Sequence, residues 1–129
     1  TQKLLSLAGP LLDTLATGEL FIIDELDARL HPLLTREIVK LFNNPQKNRH
    51  NAQLIFTTHD TNLLDNTLLR RDQIWFVEKN RQGASDLYSL AEFKVRNDKA
   101  FERGYIEGRY GAIPYLGNLQ NTVEDADGE

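Results

Sequence analysis

Two apolar runs in this chain end on residues able to do chemistry. "LFII" (Leu20 to Ile23) leads straight into Asp24 and Glu25, with Asp27 following. "LIF" (Leu54 to Phe56) leads into Thr57, Thr58, His59 and Asp60. Adjacent carboxylates at a strand end point in different directions, which permits a division of labour. One holds a hard cation such as Mg2+, directly or through water, while its neighbour takes a proton from an attacking water. At the end of the second run, His59 can donate a hydrogen bond to a phosphate oxygen, and Thr57 and Thr58 can add hydroxyls. The structural alternative is that the acids only solvate a turn or cap a helix, and that His59 is an ordinary polar residue. One apolar strand ending in "DELD" and a second ending in "TTHD" tilt the balance towards chemistry.

The elements that must position these residues follow from hydrophobic period. Leu4, Leu7 or Ala8, Leu11 and Leu15 recur at helical spacing, widened by Leu5 and Leu12, so residues 3–17 read as an amphipathic helix. Pro10 is expected to kink it or mark a restart, and Gly18 to end it. "LFII" is continuous rather than alternating, which suits a strand buried on both faces of a parallel sheet. After Pro32, Leu34, Ile38, Leu41 and Phe42 mark a second helix, closed by "NNPQKNRHN". "AQLIFTTHD" is another continuous strand, and Asp60 is placed to cap a short helix in "TNLLDN". "QIWFVEK" and "DLYSLAEF" read as strands around the turn "NRQGAS", and Asp98 to Glu107 as a last helix. The alternation of helix and strand predicts an α/β fold with right-handed crossovers, whose carboxyl sheet edge is where ligands bind.

Composition limits the function classes. The 129 residues, 40% hydrophobic, suffice for one compact domain. No apolar run approaches the roughly 18 residues of a membrane helix, and the reading is of a soluble, cytoplasmic protein without a membrane partner. The absence of Cys excludes disulfides and thiolate metal sites and fits a reducing compartment. The absence of Met suggests a piece of something longer. Four of the acids lie in the terminal "TVEDADGE"; without it, acids and bases balance at fifteen each. Net charge therefore gives no argument for nucleic acid. The small basic groups Lys47, Arg49, His50 and Arg70, Arg71 read as solvated surface.

"LFIIDELDARLHP" resembles the Walker B and D-loop segment of ABC-type ATPases, in the branch containing SMC, RecF and OLD-family proteins. "LIFTTHD" is similar to their H-loop, or switch. "TQKLLSLAGPLLDTLATG" resembles the helix after the signature motif, with Thr1 as the last residue of that motif. "RRDQIWFVEKN" and "GRYGAIP" resemble the C-terminal part of a bacterial subgroup of AAA-family ATPases associated with phage-defence or restriction loci. The resemblance implies a P-loop NTPase-like parallel sheet flanked by helices, over residues 1–117, with an acidic, disordered tail at 118–129. It implies Mg2+ on Asp24, Glu25 as general base for ATP hydrolysis, and His59 sensing the γ-phosphate. Asp24, Glu25 and His59 would together bind the nucleotide, with Asp27, and His31 as a second candidate, facing a partner subunit in a head homodimer.

The phosphate-binding half is missing from this sequence. A P-loop needs Gly-x-x-x-x-Gly-Lys-Ser/Thr, and none of the eight glycines is followed by Lys. The expectation is therefore the C-terminal half of an ATPase domain, inactive alone, with unpaired strand edges that invite self-association. DNA, or an effector nuclease or toxin, is a further expected partner of the whole protein. Two alternatives remain. One is a metal phosphohydrolase or nuclease liganded by His31, His59, Asp60 and Asp24; the other is a non-catalytic interaction module. "GRYGAIP" stays open between Arg109 and Tyr110 touching a partner and a plain turn made by Gly108, Gly111 and Pro114.

Overall fold

The computed structural model describes residues 2–28, 30–93 and 101–113. The acidic tail 118–129, Pro114 and the expected helix start at Asp98 lie outside the described residues. The chain divides into two compact units, Thr1–Arg70 with Ala100–Glu102, and Arg71–Lys99 with Arg103–Glu129. No described helix is long and apolar enough to cross a membrane.

In the first unit, α1 (Gln2–Thr17) buries Leu7, Leu11 and Leu15, a four-residue spacing that keeps them on one stripe. Leu5 and Leu12, expected to widen that stripe, stay exposed at 77% and 63%. Pro10 sits inside the helix without ending it, and its carbonyl accepts from the Thr14 hydroxyl at 2.8 Å. Gly18 ends α1 as expected. Its φ of +74° is the left-handed closure, and its N–H donates to Thr14 O at 2.9 Å. A Cβ there would lie 2.3 Å from His50 O, so glycine is required for space as well as conformation.

β1 (Leu20–Ile23) pairs in parallel with β2 (Gln53–Phe56), Ile23 opposite Phe56. Phe21, Ile23, Leu54 and Phe56 pack on the core that α1 forms with Ile38, Val39 and Phe42 of α2 (Pro32–Asn43). Leu20, Ile22 and Ile55 face out at 47%, 67% and 54% exposure. This corrects the expectation of burial on both faces: the continuous apolar runs are there, but among the described residues helices cover only one side of the sheet. His31 caps α2, its Nδ1 accepting from Leu33 N at 3.2 Å, and Pro32 takes the first turn, where a missing N–H costs nothing.

Between α2 and β2, buried Asn48 fixes the connection. Its amide donates to Phe42 O and Ala52 O, both at 2.8 Å, and its Oδ1 accepts from Ala52 N at 2.7 Å. The "TNLLDN" helix is a single 3-10 turn, Thr61–Leu63, capped by Asp60 as expected. Asp65 then closes a turn, with Oδ1 accepting from the Thr67 hydroxyl and amide at 2.6 and 2.8 Å and Oδ2 paired with Arg36 at 2.9 Å.

The second unit is built on an antiparallel hairpin, β3 (Trp75–Lys79) with β4 (Ser85–Ser89). One face carries Phe76 and Tyr88, which group with Phe93, Tyr105 and Tyr110 at ring separations of 5.4–5.9 Å. The expected strand "DLYSLAEF" stops at Ser89, where a capping box with Glu92 starts a 3-10 turn. α3 (Phe101–Ile106) occupies part of the expected last helix. Of "GRYGAIP", residues 108–113 are described. Tyr110 is buried, its carbonyl accepts from the Tyr88 hydroxyl at 2.5 Å, and Arg109 pairs with Glu107 at 2.7 Å. Burial raises the ionisation of both tyrosines above the ordinary 10.0. The parallel sheet among the described residues thus has two strands, and a separate two-stranded antiparallel sheet accompanies it.

Two stability measurements check this account. Replacing Asn48 by Ala leaves buried backbone groups without partners and should lower the unfolding free energy by about 2–3 kcal/mol in urea denaturation. A loss under about 0.5 kcal/mol, within the range of ordinary surface substitutions, would contradict it. The Thr67 hydroxyl first, then its amide, with reinforcement from Arg36, hold Asp65 below its ordinary 3.8 against opposing burial. That stabilisation is complete above 3.8 and drains away as pH falls through the lower folded value. Asp65→Asn should therefore lose less stability than the native chain on acidification below that point.

Candidate functional site

The site begins with the register of the parallel pair. With Ile23 opposite Phe56, the next residues, Asp24 and Thr57, emerge side by side at the carboxyl edge of the sheet. Thr57 N donates to Ile23 O at 3.2 Å and Thr57 O accepts from Leu26 N at 3.0 Å, extending the strand bonding past the last ladder pair. The Thr57 hydroxyl accepts from Glu25 N at 2.8 Å and donates to Asp24 Oδ1. Both carboxylate residues are exposed. Glu25 has φ +52°, the left-handed region that costs a non-glycine residue on the order of 1 kcal/mol.

The turn that follows is anchored by its apolar residue. Leu26 is fully buried in the core, while Glu25 O and Asp27 O accept from Ala28 N and Leu30 N at 2.9 and 3.2 Å. Leu26 therefore pins the segment between two acids. Asp27 is half-buried, and its Oδ1 is shielded from solvent with no hydrogen-bond partner among the described residues, an acceptor that calls for a donor from elsewhere. His31 is exposed at the head of α2 with Nδ1 used as a cap acceptor. His59 is exposed, three residues beyond the end of β2. Asp60 is committed to its turn, Oδ1 accepting from Asn62 N at 3.0 Å and from Asn62 Nδ2 at 2.8 Å.

Thr57 thus links the Asp24 carboxylate to the Glu25 backbone amide, and His59 lies two residues further along the chain. The structure does not gather His31, His59, Asp60 and Asp24 into a cluster; among the described residues no three His, Cys, Asp or Glu converge to hold a metal ion. The four-ligand phosphohydrolase reading is corrected on that ground, two of its members being occupied as caps. The remaining donor set fits Mg2+, which takes one or two carboxylates and completes its octahedron with water and substrate phosphates. Thr57 engages one Asp24 oxygen, Oδ1.

Sequence reasoning named Thr57 as a possible ligand hydroxyl and missed its bridging role. The available signal was positional: a hydroxyl directly after a strand that pairs with the strand carrying Asp24. It also missed the open groove lined by Pro32, Leu33, Arg36, Asn62, Asp65 and Glu102. There Arg36 is spent on Asn62 O and Asp65, and Glu102 accepts from Thr61, so its named polar groups answer one another.

Residues 1–65 match a family described as "AAA domain, putative AbiEii toxin, Type IV TA system". No curated protein and no solved structure matches the chain. The matched span holds α1, β1, the acidic turn, α2, β2 and the Asp60 cap, which are the elements that build the carboxylate edge. On that match the chain belongs to this AAA-domain family, a family that points to nucleotide-binding ATPase function.

Proposed function

We propose that this chain carries the metal and water-activating half of a Mg2+-dependent ATPase site of the ABC type, completed by a phosphate-binding half outside these residues. The observation that carries the reading is Thr57, at the carboxyl edge of β1 and β2, bonding both the Asp24 carboxylate and the Glu25 backbone amide. Membership of an AAA-domain family agrees with it.

Asp24 is the residue to hold Mg2+, through the carboxylate oxygen that Thr57 does not engage. When bound, the ion offsets charge on the phosphate oxygens. Glu25 accepts a proton from water as the water oxygen bonds to the γ-phosphorus. The bond from that phosphorus to the β–γ bridging oxygen breaks, leaving ADP and phosphate. In this reading His59 donates a hydrogen bond to a γ-phosphate oxygen. Asp27, whose shielded oxygen has no partner among the described residues, and His31 belong to the face that meets a second subunit. A head homodimer fits this arrangement, and DNA or an effector nuclease or toxin is the kind of partner that the coupled process would serve.

In the protein that carries both halves, Glu25→Gln should retain Mg-ATP binding and lower turnover by about 100-fold or more. Unchanged turnover would remove Glu25 from the general-base role. Asp24→Asn should weaken nucleotide binding and Mg2+ dependence together. The 129 residues alone, lacking any Gly-Lys step, should bind Mg-ATP weakly in calorimetry; micromolar affinity would overturn the division into halves.

A further inference from the structure

We propose that Thr57 is a positioning residue of the hydrolytic site, aiming the Asp24 carboxylate and holding the Glu25 backbone in its left-handed conformation. This rests on the reading of Asp24 and Glu25 given above. The Thr14 and Thr17 hydroxyls donate to carbonyls four residues back, Thr58 accepts from Asp60 N, and Thr61 donates to Glu102. Thr57 reaches residues 33 and 32 positions away in sequence, across the strand pair.

A hydroxyl has one proton and two lone pairs. The Glu25 N–H can only donate, so Thr57 Oγ1 must accept from it, and its single proton is left for Asp24 Oδ1. The rotor has no freedom remaining. One oxygen of Asp24 is therefore committed to Thr57, which leaves the other for a cation. The same hydroxyl, with Thr57 O on Leu26 N, grips consecutive amides on either side of the Glu25 carbonyl. Glu25 thereby keeps a conformation that a residue with a side chain rarely adopts. Serine would keep both bonds, whereas valine, of nearly the same shape, would keep neither.

The test compares Thr57→Val and Thr57→Ser in the protein carrying both halves of the site, with two readouts. Without metal or nucleotide, Thr57→Val should speed amide hydrogen exchange at Glu25 by about tenfold, while Val39 and Phe42 in the core keep their protection. With ATP saturating, the Mg2+ concentration for half-maximal turnover should rise about tenfold. Thr57→Ser should restore both to within about twofold. Unchanged exchange and unchanged Mg2+ dependence in Thr57→Val would overturn the proposal. So would a serine variant as impaired as the valine one, or loss of protection throughout the core. Glu25→Gln separates the two levels: if it turns over normally, the general-base reading of Glu25 fails and takes the positioning role with it. If it is inactive while Thr57→Val behaves as native, only the role of Thr57 fails.

Discussion

Parallel pairing of two four-residue strands has to be imposed from outside, because four ladder positions cannot hold a register in water. Here α1 and α2 impose it by giving Phe21, Ile23, Leu54 and Phe56 a common core to enter. The consequence reaches the site directly. A slip of one residue would turn that apolar set outward and part Thr57 from Asp24. Gly18 and Asn48 set where the two strands begin, one by closing α1 against His50, the other by tying Ala52 to the end of α2. The chemistry at the carboxyl edge thus depends on packing and turns at the opposite end of the strands.

Both β1–β2 and β3–β4 are finished on one face only. Leu20, Ile22 and Ile55 stand open on the parallel pair, and Trp75, Val77 and Leu87 stand open at 57%, 65% and 61% on the hairpin. Parallel strands are ordinarily covered on both faces, and apolar groups left in water forgo roughly 25 cal/mol per Å². Each open face is therefore a cost that covering polypeptide can relieve.

The sequence made some of this legible and hid the rest for physical reasons. Strand identity, the Gly18 stop, the Asp60 cap and the β3–β4 hairpin are local properties, carried by runs, caps and turn residues. Which face of "LFII" is covered is not local, because an apolar run reads the same whether one layer or two packs on it. Leu5 and Leu12 failed for the same reason, since periodicity nominates a stripe and packing decides its width. "DLYSLAEF" was read four residues too long because apolar Leu90 and Phe93 outweighed the Ser89–Glu92 cap. The two carboxylates could be found from their position after a strand. Thr57 could be found only by aligning β1 with β2, and no residue type announces that register.

The most direct measurement of the central claim is a crystal structure of the whole polypeptide with Mg2+ and a non-hydrolysable ATP analogue. The account predicts the ion about 2.1 Å from an Asp24 oxygen, or one water away from it, with Glu25 facing the γ-phosphate. It also predicts a strand from outside residues 1–129 beside the sheet edge. Nucleotide bound elsewhere, with Asp24 and Glu25 facing bulk water, would contradict it.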